Sequence, residues 1–376
     1  MNSKKLGSLS LIAIAAIILI AVAVAGCTTQ SSSNGPTVTP AAGATPLPTT
    51  RTITDMAGRT VTIPYNITKV LGTAPPITMT TYMLDPNALE GWNSAMNGSL
   101  YVPNQYLNLP NVGGQQMGQT LNYETFLSMN PDLVLYDYSE GPGSNASISD
   151  MQSKLNPLPV VAVYDSTNAS DYTPEIQFMG NLLGAQDTAN KLIQFYNNVY
   201  TTVNGTVASI PMDQRKTVYY AEGTQGLQTE SPVSMHAQII NIAGGINVAN
   251  ITDSGSGGMT AVSMEQVIAW NPDVIICGNQ GFYNQIYNNS NWANIKAVQD
   301  KQVYLVPSQP YGWIDRPPGV NSIIGIPWMA KVLYPDQFQS LDMVNLTQEF
   351  YSDFYHYNLT SQDVHTILSS SGLTQY

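Results

Sequence analysis

Two stretches, 122-NYETFLSMNPDLVL-135 and 263-SMEQVIAWNPDVII-276, carry one pattern twice. Each has a glutamate, a short mixed run, Asn-Pro-Asp, and then an aliphatic run. Glu124 to Glu265 and Asp132 to Asp273 are both 141 residues apart, so the register is kept. Each copy predicts a short helix ended at Asn-Pro, because the residue before a proline is pushed out of the helical region. A buried strand follows, with the continuous apolar run of a parallel sheet. A period this long does not fit a solenoid repeat. It predicts two similar α/β lobes.

Working outward, Arg51 to Pro64 alternates around Gly58 as a hairpin, and Ile67–Leu71 reads as a strand. A loop, 72-GTAPP-76, leads into a helix to Leu84. Ile148–Leu155 is a helix and Val160–Tyr164 a strand, which completes a first lobe over residues 51–172. Residues 173–208 are helical in pattern, broken near Gly184, with Leu192, Ile193, Tyr196, Val199, Tyr200 and Val203 on one face. Asp187 is the expected cap near the second start. A second lobe, 209–376, opens at Thr217–Ala221 and has a helix from about Val233 to Gly244-Gly245. After the second repeat come a strand at Gln302–Pro307, a helix beyond Pro317-Pro318, and a last helix from Phe350 to Leu368.

The N-terminus reads as a targeting segment: Lys4 and Lys5, an apolar stretch from Leu9 to Val24, then Ala25-Gly26-Cys27. Residues 1–26 are the expected leader, and Cys27 sits where a lipoprotein is lipidated. Residues 27–50, rich in Thr, Ser, Pro, Ala and Gly, form a flexible spacer. An uncleaved anchor is the alternative; both tether the chain to the outer face of the cytoplasmic membrane. The other cysteine, Cys277, reads as a small buried apolar residue, and no disulfide is expected. Nine Asn-x-Ser/Thr sites, from Asn66 to Asn358, are glycan acceptors only if the compartment supplies the enzyme.

Of the 376 residues 43% are hydrophobic and 10% charged, with a formal net charge of −12. That balance describes a globular chain and excludes a basic nucleic-acid face. No HExxH, GxSxG or phosphate-loop motif is present, so an enzyme is not expected. A surface-layer or adhesion protein is the competing class; the two α/β lobes argue against it.

In its order of motifs the chain resembles the periplasmic-binding proteins of iron-siderophore and vitamin B12 ABC importers. The resemblance rests on "TITDMAGRTVTIP", the paired "YETFLSMNPDLVL" and "MEQVIAWNPDVII", "IINIAGGINVA", and "RPPGVNSIIGIPWMAKVLYPD", over roughly Arg51 to the C-terminus. It implies two Rossmann-like lobes joined by one long helix, with ligand in the cleft between them and little hinge motion. It also implies that Glu124 and Glu265 dock on a permease dimer served by a cytoplasmic ATPase. The bland alternative is that each glutamate only favours its helix start.

At the carboxyl ends of the strands the ligand-binding candidates are Pro75, Gln115, Tyr138, Thr224, His236, Tyr283, Tyr311, Trp313 and Arg316. Tyr311 and Trp313 offer flat faces, Arg316 a fork for a ligand carboxylate, and His236 an imidazole for an exposed metal position. Pairing with Asp315 is the structural alternative for Arg316, and solvation at a helix start that for His236. His356 and His365, placed on the last helix, receive no function. No cofactor or resident metal is expected. The expected cargo is an iron(III) chelate, with a corrinoid or a nickel or cobalt chelate as alternatives, carried by a monomer.

Overall fold

A hairpin is the first element of the described residues, with β1 (Thr50–Thr54) antiparallel to β2 (Thr60–Pro64) and Thr52 opposite Thr62. Gly58 makes the turn at φ +75°, and Asp55 accepts the amides of Ala57 and Arg59 across it. The computed structural model describes residues 48–376, apart from 97, 116–120, 140–141, 166–167 and 253–257. The leader, Cys27 and the spacer up to residue 47 lie outside the described residues.

β3 (Val70–Gly72) feeds α1 (Pro75–Leu84), whose first turn holds Pro75 and Pro76 where a missing amide costs nothing. A Tyr-rich excursion containing α2 (Asn104–Leu107) leads to α3 (Tyr123–Met129) and β4 (Leu133–Tyr138). α4 (Ser144–Leu155) and β5 (Val160–Tyr164) follow. β3, β4 and β5 form a parallel sheet in that order.

Two helices then cross to the second sheet. α5 (Ala169–Leu183) ends at Gly184, which takes φ +74°, and α6 (Gln186–Val207) runs 22 residues, about 33 Å. α6 buries Leu192, Phe195, Tyr196, Val199 and Val203. Phe195 therefore replaces Tyr200 on the expected face; Tyr200 points outward because the apolar stripe follows the 3.6 period. Ala185 stands at the cap position and Asp187 in the first turn, where it meets the positive end of the helix without capping it.

The second sheet is built from β6 (Thr217–Ala221), β8 (Ile246–Asn247), β10 (Val274–Cys277) and β11 (Val303–Leu305), in the order β11-β10-β6-β8 and all parallel. β7 (Gln228–Thr229) and β9 (Thr260–Ala261) make a small antiparallel pair beside it. Between the strands lie α7 (Gln238–Ile242), α8 (Met264–Trp270), α9 (Gln280–Gln285) and α10 (Lys296–Gln299). α11 (Gly325–Leu333), α12 (Met343–Phe354) and α13 (Ser361–Ser370) close the chain. The single last helix expected from Phe350 to Leu368 is thus two. His356 takes φ +55° in the turn after α12, and Thr360 with Asp363 forms the capping box that starts α13.

The duplicated stretches occupy equivalent places. β4 is the centre of its sheet between β3 and β5, as β10 is between β6 and β11. Asn130 and Asn271 both end their helices in the left-handed region, at φ 47° and 40°. The aspartate of each copy pins the chain entering the neighbouring strand. Asp132 Oδ2 accepts the Thr68 amide at 2.6 Å, and Asp273 Oδ2 accepts that of Thr217 at 2.9 Å.

One apolar core spans both sheets. It runs from Val70, Tyr82 and Trp92 through Leu192 and Val199 of α6 to Ile240, Trp328 and Phe350. α1 packs on α12, and the Tyr82 hydroxyl donates to Tyr355 O at 2.6 Å. Each large apolar side chain in that core contributes about 1.5–3 kcal/mol by its burial. The result resists relative movement of the two sheets.

Candidate ligand cleft

Loops leaving the carboxyl ends of parallel strands are where a doubly wound fold exposes backbone and places polar side chains. Here Thr73 follows β3, β4 ends at Tyr138 and β5 at Tyr164; on the other side Glu222 follows β6 and Val306 follows β11. Segments from both sides meet. The Ala169 amide donates to Gln238 Oε1 at 2.9 Å, and Gly319 lies against Met79 and Pro76 of α1.

On the first side Thr73 organises the loops. Its carbonyl accepts the Gln115 amide at 2.7 Å, and its hydroxyl accepts that of Asp137 at 3.1 Å. Asn93 Nδ2 donates to Gly72 O and Gly113 O, tying the excursion to the strand end. Pro75 begins α1 two residues on, half-buried, and the Gln115 side chain is exposed. Tyr138 stacks on Tyr164 with ring centres 6.1 Å apart and planes at 16°. Beside them burial, and then the Asp165 carboxylate, push the Asp137 carboxyl well above its usual range.

The second side is an ion cluster. Arg316, 28% exposed, reaches back to three acids: Glu222 Oε1 at 2.7 Å, Glu230 Oε1 at 2.9 Å and Asp315 Oδ2 at 3.4 Å. Glu230 also accepts the Met259 amide at 2.7 Å and the Ser234 hydroxyl at 2.8 Å. His236, 6% exposed, lies in a 3-10 turn, Met235–Ala237, with Nδ1 2.5 Å from Asp315 Oδ1. Burial pushes the Glu222 carboxyl up to about 9, although Arg316 opposes it. Burial disfavours a charged His236, but Asp315 outweighs that and raises it.

Four expectations change. Trp313 is fully buried, with its indole Nε1 donating to the Tyr351 hydroxyl at 3.1 Å, so it packs the core and offers no face to a ligand. Arg316 is not a free fork, because its three acids already occupy it. His236 is neither solvated nor at the start of a long helix; Ser234 caps its short turn and Asp315 holds the ring. His356, in the turn rather than on the last helix, bonds Tyr82 O at 2.9 Å through Nε2.

The remaining candidates scatter. Tyr311 is half-buried, its hydroxyl on Met96 Sδ at 3.7 Å and its ring between Trp92 and Tyr355. Thr224 is exposed and accepts Gln285 Nε2 at 3.4 Å. Tyr283 turns its hydroxyl toward Gly372, near the C-terminus. Thus the fold brings His236 and Arg316 together, and Pro75 with Gln115, while Thr224 lies in the loop after β6 and Tyr283 on α9. Asn93, Asp137, Glu222 and Glu230 are polar members that sequence reasoning passed over or dismissed. A cavity of about 420 Å³ around Lys216, Asp273, Lys296 and Tyr334 lies at the opposite, amino ends of β6 and β10. Lys296 in its lining is already held by Asp273 and Asp300, and the cavity lies away from the strand ends where such folds place ligand, so the cleft is the better candidate.

Glu124 and Glu265 stand in the first turns of α3 and α8, both exposed. Three residues on, the aliphatic side chains Leu127 and Ile268 are also exposed, at 37% and 51%. The helix-start amide of Glu265 itself, with Ser263, holds its carboxyl below the usual range.

Residues 85–310 match the family described as periplasmic binding protein. The chain belongs to that family. The molybdate-binding protein MolA of Haemophilus influenzae is 26% identical over 331 residues, covering 81% of this chain and 91% of MolA. An uncharacterized ABC transporter substrate-binding lipoprotein of Bacillus subtilis, YvrC, is 24% identical, covering 86% and 97%. An ABC transporter solute binding protein from Sulfurospirillum deleyianum has a solved structure that superposes with TM-score 0.78 at 32% identity, covering 85% and 99%. This periplasmic binding protein is therefore the substrate-binding component of an ABC transporter, not an enzyme. It binds a small ligand outside the cytoplasm and works with permease and ATPase chains. Among the described residues no helix is long and apolar enough to cross a membrane.

Proposed function

We propose that this binding protein captures a metal complex, an iron(III) chelate of the siderophore kind, between the carboxyl ends of its two sheets. The carrying observation is the state of Arg316: three acids surround it, so it has no charge to spare for a strongly anionic guest. The partly exposed Tyr164 ring, stacked on Tyr138, supplies a flat apolar face suited to a weakly charged chelate. A corrinoid or a nickel or cobalt chelate suits the same surface. A free oxyanion is the second reading, favoured by the similarity to MolA, whose name gives molybdate as its ligand.

Delivery follows from the repeat. Glu124 and Glu265 are exposed carboxylates in equivalent settings, matched to a two-fold permease through charge complementarity. We read the chain as a monomer held to the outer face of the membrane by lipid on Cys27. Calorimetric titration with a ferric chelate, cyanocobalamin and molybdate tests the ligand. Saturable binding of a metal complex is expected. Binding of molybdate and of no metal complex overturns the chelate reading.

A further inference from the structure

We propose that Leu127 and Ile268 are the apolar anchors of the permease contact. Each repeat copy offers a glutamate, a branched aliphatic and a small residue, a face suited to a basic side chain beside an apolar dimple on each half of a two-fold partner. This rests on the docking reading given above and adds the part that charge does not supply.

Leu127 and Ile268 are 141 residues apart, so they hold the same position in the two copies. Among the described residues nine large hydrophobic side chains are exposed, and these two are the one pair that the repeat relates. A single exposed aliphatic is ordinary on a protein surface; its recurrence in both copies is the informative observation. The flanking positions agree. Glu124, Leu127 and Ser128 are exposed at helical spacing on α3, as Glu265, Ile268 and Ala269 are on α8. The inward face is fully buried at Phe126 and Val267, which join Val134 and Ile275 in equivalent apolar clusters. Ser128 and Ala269 are short, which leaves the aliphatic open to a partner. Among the described residues neither glutamate has an ion pair, so both carboxylates are available.

Local causes account for the charge alone. A carboxylate in a first turn is favoured by the positive end of its helix, with or without a partner. That field gives no reason for an exposed aliphatic one turn later, and β-branched Ile268 is a middling helix former. Placement agrees too. A three-residue turn joins each helix to the central strand of its sheet, so each helix runs back along that strand. Both first turns therefore lie toward the carboxyl ends of the strands, and a partner that grips both faces also meets the cleft. Contacts between exposed charges fade as salt shortens the screening length, to about 3 Å at 1 M, whereas apolar burial persists.

The test measures binding of wild-type and variant protein to the permease–ATPase complex in nanodiscs, at low salt and at about 1 M NaCl. Leu127→Gln with Ile268→Gln keeps side-chain length and helix propensity, so the fold and ligand affinity should hold. Docking of that variant should weaken about tenfold or more at both salt concentrations. Glu124→Gln with Glu265→Gln should weaken docking at low salt and change it little at high salt. Unchanged docking in the aliphatic variant, with the glutamate variant weakened, overturns the proposal and leaves the charge reading intact. Unchanged docking in both variants overturns the two together. Wild-type docking abolished by salt also overturns it, because the contact is then ionic alone. So does sedimentation showing that wild-type chains pair and the aliphatic variant does not, since the faces then serve a second copy.

Discussion

Asp273 and Thr217 hold each other from both directions. The Asp273 carboxylate accepts the Thr217 amide at 2.9 Å and hydroxyl at 2.8 Å, while the Thr217 hydroxyl accepts the Asp273 amide at 2.9 Å. This clasp fixes the entry of β6 beside β10, at the opposite end of the sheet from the proposed ligand cleft. Asp273→Ala should lower stability by about 1–3 kcal/mol, read by urea denaturation, and leave ligand affinity unchanged.

The same carboxylate sets a pH response. Partial burial opposes its ionisation, but Lys296 and then Thr217 outweigh burial and hold it below the usual range. A carboxyl depressed by folding stabilises above its unfolded value and ceases to do so as pH falls through its folded one. Denaturation midpoints measured from pH 6 down to pH 2 should therefore fall less steeply for Asp273→Asn than for wild type.

Removing Arg316 leaves Glu222 and Glu230 buried without their partner. Arg316→Met should cost about 3–5 kcal/mol, the range for breaking one side of a buried pair. Adding Glu230→Gln to that variant should recover part of the loss, since it removes a carboxylate stranded by the loss of Arg316. If Arg316→Met melts like wild type, Arg316 does not stabilise the buried acids.

Trp313 is a core residue, so its effect should appear in stability rather than affinity. Trp313→Phe removes the bond to Tyr351 and leaves a void, at about 1–3 kcal/mol. Ligand affinity within twofold of wild type is expected by calorimetry.

Glu124→Lys combined with Glu265→Lys changes two exposed side chains. Titrated ligand affinity should hold, while uptake into proteoliposomes carrying the permease and ATPase should fall by about tenfold or more. Loss of ligand binding in this double variant would overturn the division of roles.

How far the sequence could be read depended on the distance between partners. The repeat was legible because Asn-Pro-Asp acts locally: proline ends the helix, and the aspartate meets the next strand. The hairpin was legible through Gly58 for the same reason. Of the Arg316 cluster only the neighbouring Asp315 was legible, since Glu222 and Glu230 lie 94 and 86 residues earlier in the chain and only the fold gathers them. Trp313 was misjudged because an aromatic among Gly, Pro and Tyr reads as an open loop. Gly325 packs directly on the Trp313 carbonyl, a close approach visible only in three dimensions. Tyr355 and His356 bind Tyr82 of α1 across the molecule, and that tie bends the chain where periodicity alone continues a helix.

Because α1, α6, α11 and α12 share a single hydrophobic interior, empty and loaded forms must present nearly the same outline to the membrane machinery. A transporter facing such a carrier cannot sense occupancy from a clamshell closing. The message that cargo is aboard has to be written in the few side chains and loops at the rim, and read there.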